Sequence, residues 1–151
     1  MSAVVIVDTS VFLNVLDVPG FNQDRGAVFR AFRNHLEDGA IMLLPMAAIF
    51  ETGNHIAQLS DGGNRRRFAR RYVDQVRQAL YGTAPWRPTQ PPTTEMMALW
   101  IDDFPDSAMR GAGIGDLSII KEWEAAVARH SHLRTLIWSL DRHLAAYDHQ
   151  P

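Results

Sequence analysis

Apolar runs alternate with amphipathic stretches along this chain, and that pattern predicts strands that alternate with helices. The run 4–7 is β-branched and contains no polar residue, which is typical of a strand buried on both faces of a parallel sheet. It ends at Asp8-Thr9-Ser10, residue types that favour the start of a helix. The segment 39–44 repeats this pattern, and Pro45 suits the first turn of a helix over 46–59. The amino-terminal third therefore contains two strand–helix units.

The rest of the chain continues the alternation. Helical spacing of apolar residues predicts amphipathic helices over 24–38 and 64–80. Four prolines in 82–94 predict a loop, with at most a short edge strand near Trp86. The remaining predicted elements are a helix over 95–101, a turn-rich segment over 102–115, a helix over 116–130, a strand over 133–140 and a short helix over 141–147. The fold class is α/β with a parallel sheet, in a single domain over 1–151.

Composition narrows the function classes. The chain has 151 residues, of which 46% are hydrophobic, enough for one buried core. No apolar run approaches the ~18 residues of a membrane span, and the amino terminus lacks the basic leader of a signal peptide. The absence of cysteine excludes disulfides, cysteine-ligated metals and thiol nucleophiles. We therefore expect a cytoplasmic protein that does not enter a membrane, and the net charge of −2 does not indicate an overall basic nucleic-acid binder.

Four carboxylates occupy positions near the predicted strand ends. Asp8 and Asp141 directly follow the first and last strands, Glu51 lies about two turns into the second unit's helix, and Asp116 follows the glycine-rich segment 111–115. Ligands of open α/β sheets bind beyond the carboxyl ends of the strands. Clustered acids require a compensating cation, and oxygen ligands suit Mg²⁺ or Mn²⁺. The alternative is that each acid only caps a helix.

The four acidic segments, in their order along the chain, resemble the motifs of PIN-domain nucleases. These segments are Val5-Ile6-Val7-Asp8-Thr9-Ser10-Val11, Leu44-Pro45-Met46-Ala47-Ala48-Ile49-Phe50-Glu51, Gly115-Asp116-Leu117-Ser118-Ile119-Ile120 and Ser139-Leu140-Asp141-Arg142-His143. The resemblance covers nearly the whole chain. It implies a three-layer α/β/α sandwich with a short, mostly parallel central sheet of four to five strands.

The same resemblance implies an activity. PIN-domain proteins are Mg²⁺- or Mn²⁺-dependent endoribonucleases that cleave single-stranded RNA with metal-activated water, and many small members are toxins of type II toxin–antitoxin pairs. An antitoxin protein and a homodimer are the partners it implies. The catalytic and metal-binding acids it implies are Asp8, Glu51, Asp116 and Asp141. Ser10 and Ser139 match hydroxyl positions that support such a site.

Two departures from the family pattern concern the sheet. The chain stops at Pro151, so we expect the family's fifth strand, at the sheet edge, to be missing. The proline-rich segment before Glu95 leaves no clear place for the third strand. We also expect exposed aromatic surface around Trp86 and Trp100, which would favour the homodimer.

Basic residues concentrate on the predicted helix 64–80, which carries six of the 15 lysines and arginines. They are Arg65, Arg66, Arg67, Arg70, Arg71 and Arg77. Such a run is either a solvated face, a guide for the RNA backbone toward the acids, or a surface for an acidic partner protein. The sequence does not separate these interpretations.

Two further alternatives remain open. His55 lies one helical turn after Glu51 and either reaches the site or is a structural histidine. The four acids either catalyse, or serve a catalytically silent scaffold or an RNA- or protein-binding module. Phosphotransfer enzymes with an aspartate nucleophile are disfavoured, because one large group needs a second aspartate where this chain has Ser10.

Overall fold

A five-stranded sheet runs through the computed structural model, which describes residues 2–151. Its strands are β1 (Ala3–Val7), β2 (Ile41–Leu44), β3 (Trp86–Pro88), β4 (Arg134–Trp138) and β5 (Asp148–His149). They lie in the order β3-β2-β1-β4-β5. The first four are parallel, and β5 is antiparallel to β4. The sheet is therefore mixed but mostly parallel, as the sequence predicts.

Eight helices connect and cover the strands within residues 2–151. They are α1 (Thr9–Val15), α2 (Arg25–Glu37), α3 (Met46–Ala57), α4 (Gly62–Leu80), α5 (Thr94–Asp102), α6 (Phe104–Met109), α7 (Ile114–Arg129) and α8 (Arg142–Ala145). All the helices predicted from apolar spacing are present, with ends shifted by a few residues. None of these helices combines the length and apolar character that a membrane span requires.

The central strand β1 is buried on both faces, because consecutive side chains of a strand point to opposite sides. Val5 and Val7 belong to a cluster with residues of α1, α2 and α4, such as Phe12 and Phe68. Val4 and Ile6 belong to a second cluster with residues of α7, β4 and α8, which are Ile119, Ala126, Ile137 and Leu144. Helices thus pack on both faces of the sheet, which confirms the predicted three-layer α/β/α sandwich.

Two elements differ from the sequence prediction. The fifth strand, expected to be missing, is present as β5, whose Asp148 accepts hydrogen bonds from both Nε (2.9 Å) and Nη2 (2.6 Å) of Arg134. Two residues are too few to show strand periodicity, so this strand depends on pairing with β4. The segment predicted as turn-rich contains α6, in which Pro105 occupies the first turn, where a proline does not break a helix.

The environment of Trp86 also corrects the prediction. β3 forms in the proline-rich segment, at the edge of the sheet where a proline is tolerated. Trp86 is only 3% exposed, and its ring lies 5.7 Å from that of Phe12 and 5.4 Å from that of Phe32. The expected exposed surface around Trp86 is therefore wrong, whereas Trp100 is only partly buried.

Candidate active site

The chain changes direction across the sheet at β1. From β1 it proceeds to β2 and β3 on one side, and it later returns to place β4 on the other side. Such a switch point leaves a crevice beyond the carboxyl ends of the two central strands, where open α/β sheets bind ligands. Asp8 follows β1 there, and Ser139 and Asp141 follow β4. The backbone N–H of Asp8 donates to the carbonyl of Trp138 at 3.0 Å, which ties the two strand ends together.

A cavity of about 330 Å³ occupies this crevice, and we call it the acid cavity. Five carboxylates line it, namely Asp8, Asp24, Glu51, Asp116 and Asp141. His55 also lines it, but among residues 2–151 no lysine or arginine does. The four acids singled out in the sequence therefore do meet at one edge of the sheet, in a space with almost no compensating positive charge.

Asp8 is held in place by two serines. Its Oδ2 accepts hydrogen bonds from Ser10 Oγ at 2.9 Å and Ser139 Oγ at 2.7 Å. The backbone N–H groups of Leu140 and Asp141 donate in turn to these two hydroxyls, each at 3.0 Å. Asp8 stands at the start of α1, yet its side chain does not cap that helix. Both serine hydroxyls point to one carboxylate oxygen, so the orientation of Asp8 is fixed by the ends of β1 and β4.

Glu51 reaches the acid cavity from α3. Its Oε2 accepts a hydrogen bond from Thr9 Oγ1 at 3.2 Å, and its Oε1 lies against Gly115, where an added Cβ would stand only 1.8 Å away. Burial raises the pKa of Glu51, and the nearby Asp116 and Asp8 raise it further. Sequence reasoning took the glycine-rich segment 111–115 as a flexible approach, whereas Gly115 is a helical residue that leaves room for this carboxylate.

Asp116 and Asp141 differ in how far they also serve the backbone. Asp116 lies in the first turn of α7, whose N-cap is Gly113, so it does not cap that helix. Burial raises the pKa of Asp116, and the charges of Asp8 and Asp141 raise it further. Asp141 is exposed and does cap α8, because its Oδ1 accepts from the backbone N–H of His143 at 2.9 Å. The capping alternative thus holds for Asp141 alone among the three.

The donor set suits a hard divalent cation, although the carboxylates do not form a finished coordination shell. Within residues 2–151, no three acidic or histidine side chains are placed in a group that could hold a metal ion as it stands. All the side-chain donors contributed by the four predicted acids, however, are oxygens, the ligands that Mg²⁺ and Mn²⁺ prefer. The space that Gly115 leaves for Glu51 also keeps that carboxylate beside Asp116. The residues therefore fit such an ion chemically.

Sequence reasoning missed two residues of the acid cavity. Asn14 is buried on α1, where its Nδ2 donates to the carbonyl of Ser10 at 2.9 Å and its Oδ1 accepts from the backbone N–H of Asp24 at 3.1 Å. Its spacing of four residues from Ser10 places both on one helix face and was the available signal. Asp24 gave no signal, since the long connection between α1 and α2 brings it to the cavity.

His55 lines the acid cavity one turn beyond Glu51. Its ring packs against Phe21, with the ring centroids 4.8 Å apart, and its charge lowers the pKa of Glu51 slightly against the effect of burial. Both interpretations of this histidine therefore have a structural counterpart: it makes an ordinary packing contact, and it also lies at the site.

The arginines of α4 do not approach the acid cavity. Arg65 Nη1 donates to the carbonyl of Leu59 at 2.7 Å, and Arg71 Nη1 donates to that of Leu16 at 2.9 Å. The guanidinium groups of Arg67 and Arg71 lie over the ring of Phe68. Arg66 and Arg70 instead line a separate open depression on the outer surface. Part of the basic run is thus structural, and only part is available for a partner.

No protein-family model and no curated protein matches this chain. The functional argument therefore depends on the acid cavity itself and on the resemblance of the four motifs. Carboxylates that are drawn together, partly buried and uncompensated favour the binding of a cation. A cation bound at such a place attracts phosphate groups, which the acids alone would repel.

Proposed function

We propose that this protein is a Mg²⁺- or Mn²⁺-dependent endoribonuclease that acts on single-stranded RNA. The observation that carries the proposal is the acid cavity, in which carboxylates from four separate elements and loops meet at the switch point of the sheet without a lysine or arginine. Retaining so many mutually repelling acids costs stability, and a functional cation gives that cost a reason. The order of the four motifs supports the same assignment.

Each acid has a distinct role in this proposal. Asp8 and Asp116 would hold the principal ion, and Glu51 and Asp141 would complete its ligands or orient the attacking water. When bound, the ion supplies positive charge for the scissile phosphate and lowers the pKa of water. Ser10 and Ser139 keep Asp8 in one orientation through its Oδ2. Thr9 does the same for Glu51 through its Oε2.

The proposal is tested by cleavage of a single-stranded RNA. We expect cleavage with Mn²⁺ or Mg²⁺, loss of cleavage in EDTA, and products with a 5′-phosphate and a 3′-hydroxyl. Asp116→Asn should abolish cleavage, because it removes a ligand charge with little change in shape. It should not unfold the metal-free protein, since Asp116 is repelled by Asp8 and Asp141.

Asp74→Asn is the matched control, because Asp74 is an exposed acid of α4 outside the acid cavity. It should leave cleavage unchanged. Cleavage that persists in EDTA, or products with a 2′,3′-cyclic phosphate, would reject the metal mechanism. A silent scaffold would show neither cleavage nor stabilisation of its melting temperature by Mn²⁺.

We further propose that the protein is the toxin of a type II pair, acts in the cytoplasm, and forms a homodimer. The exposed apolar residues of α5 support association, as argued below for the whole molecule. The toxin role predicts that the adjacent reading frame encodes a small antitoxin that copurifies with this chain and suppresses RNA cleavage. An adjacent frame of unrelated function, with no inhibitor of cleavage, would contradict the toxin role but not the nuclease.

A further inference from the structure

A second cavity, of about 390 Å³, adjoins the acid cavity between α3, α5 and α7, and we call it the side cavity. The two cavities share Glu51 and Gly115 in their walls. The large apolar residues of the side cavity are Met46, Phe50, Met97, Trp100 and Ile114. A ligand that occupied the side cavity would therefore lie directly beside the acids proposed to cleave RNA.

The apolar wall of this cavity is open to solvent. Phe50 is 62% exposed, and Met97 and Ile114 are also exposed, although all three are large hydrophobic side chains. Burial of these side chains is not needed for the core, since none of them belongs to either core cluster. Exposed aromatic and apolar side chains that gather around a cavity are typical of a binding surface.

One polar atom in the side cavity lacks a partner. Glu122 Oε1 accepts a hydrogen bond from Thr89 Oγ1 at 2.9 Å, and Thr89 Oγ1 accepts one from the backbone N–H of Met46 at 3.3 Å. Glu122 Oε2, by contrast, is buried, and the described residues give it no hydrogen-bond partner. Buried acceptors without a donor are rare in native proteins. An N–H donor from a ligand would satisfy this oxygen.

We propose, on the basis of the nuclease function above, that the side cavity binds one unstacked base of the RNA substrate next to the cleaved phosphodiester. The base would pack on the apolar wall that includes Phe50 and Trp100, and its exocyclic amino group would donate to Glu122 Oε2. Adenine, cytosine and guanine carry such an amino group, and uracil does not. The side cavity would thus select against uracil at one position.

Three properties of the site favour a base as the occupant. The side cavity is continuous with the acid cavity through Glu51 and Gly115, so that a nucleotide can place its phosphate at one and its base at the other. A base is flat and apolar on its faces, which suits stacking on an aromatic wall. It carries its hydrogen-bonding groups on its edge, which suits a single acceptor at the end of that wall. Burial also raises the pKa of Glu122 to about 7, which an amino donor at Oε2 would offset.

The test uses metal-free protein at pH 8, where Glu122 is mostly ionised, and the nucleosides adenosine, cytidine and uridine. Nucleosides carry no phosphate, so binding is measured independently of the metal and of cleavage. We expect NMR shifts at the Trp100 indole N–H and at Glu122, with at least about fivefold weaker binding of uridine. Glu122→Gln should remove or reverse that preference, because its amide donates a hydrogen bond to the uracil carbonyl.

Phe50→Ala should weaken binding of adenosine and cytidine about tenfold, through loss of stacking. Tyr81→Ala is the matched control, since Tyr81 is an aromatic residue that is 77% exposed and lies outside the side cavity. It should leave binding unchanged. Both replaced side chains are exposed, so both variants should fold.

The outcomes separate the base site from the nuclease. Cleavage that requires Asp116, with no nucleoside shifts and no base preference in the cut sites, would overturn the base site and leave the nuclease standing. Nucleoside shifts at Trp100 and Glu122 without any metal-dependent cleavage would support the base site and contradict the nuclease. Dissociation of a dimer by Phe50→Ala, with no nucleoside shifts, would show that a second copy occupies the cavity and would overturn the proposal.

Discussion

Single side-chain contacts determine the orientation of the acids at the candidate site. Asp8 depends on two serine hydroxyls that share its Oδ2, and Glu51 depends on Thr9 and on the missing side chain of Gly115. Hydrogen bonds to a carboxylate limit its rotation and also stabilise its charged form. At this scale the site consists of acids held by neutral hydroxyls, which leaves its negative charge intact for a cation.

Gly115→Ala tests the close approach between α7 and Glu51. The new Cβ would stand 1.8 Å from Glu51 Oε1 and must displace that carboxylate. The displaced atom is at the end of a flexible side chain, and alanine favours a helix by about 0.5–1 kcal/mol over glycine. We therefore expect at least about tenfold slower RNA cleavage with an unchanged or raised melting temperature.

Gly113→Ala is the control for that experiment, because nothing lies within 4 Å of a Cβ at Gly113. It should leave cleavage nearly unchanged. A Gly115→Ala protein as active as the wild type would show that the position of Glu51 does not matter for cleavage.

Glu122 predicts a pH dependence of stability that is separate from catalysis. Burial raises its pKa in the folded state to about 7 from an ordinary value of 4.5, so the folded state favours the protonated form. Stability from this residue is fully present below about pH 4.5 and is lost as pH rises toward 7. Relative to Glu122→Gln, the wild type should lose up to about 3 kcal/mol of unfolding free energy between pH 4.5 and 8.

Urea denaturation of both proteins across this pH range measures the difference. Glu124→Gln is the control, because Glu124 is an exposed residue of the same helix. The difference between its unfolding free energy and that of the wild type should vary little with pH. Parallel pH profiles for the wild type and Glu122→Gln would contradict the raised pKa.

At the scale of elements, α4 shows that one basic helix carries two kinds of arginine. Arg65 and Arg71 donate to backbone carbonyls outside their own helix, so they fasten α4 to neighbouring segments. Arg66 and Arg70 lie on the open outer surface. The two groups should respond differently to substitution, because only a free guanidinium group is available to phosphate without breaking an existing contact.

The double change Arg66→Ala and Arg70→Ala should weaken RNA binding and leave the melting temperature nearly unchanged. If these arginines contact phosphates, the slope of log affinity against log salt concentration should become shallower by about 1. Fluorescence anisotropy with a labelled RNA at several salt concentrations measures both effects. Unchanged affinity would support the solvated-face interpretation of the basic run.

Arg71→Ala is the contrasting variant. Its loss removes the bond to the Leu16 carbonyl and the contact with the ring of Phe68. It should therefore lower the free energy of unfolding by about 1 kcal/mol.

At the scale of the whole molecule, α5 is a helix without a buried residue. Leu99 is 69% exposed, and Ile101, Met96 and Met97 are exposed as well. A monomer gains nothing from this apolar surface, whereas two copies of the chain would bury it against each other. This surface replaces the neighbourhood of Trp86 as the basis for the homodimer.

Leu99→Glu tests the homodimer. We expect the wild type to sediment as a dimer at micromolar concentration and the variant as a folded monomer, because a buried, unpaired carboxylate disfavours association. Leu80→Glu is the control, since Leu80 is 61% exposed at the end of α4 and should not affect association. A monomeric wild type would contradict the homodimer.

The sequence alone determined most of the layers of this fold. The uninterrupted apolar run of β1 and the periodic helices α2, α3, α4 and α7 are visible because local side-chain spacing reports which faces are buried. The positions of the four acids after strands and near helix starts also indicated that they would meet, since parallel strands end at one edge. What local spacing reports, the sequence predicted within a few residues.

Tertiary structure decided the features that depend on contacts between distant segments. β5 and β3 are too short or too proline-rich to show a pattern, and they form because β4 and β2 offer strands to pair with. The burial of Trp86, the approach of Asp24, and the unpartnered Glu122 likewise come from packing between elements far apart in sequence. A side chain's neighbours in space, unlike its neighbours in sequence, are fixed only when the whole sheet and its helices assemble.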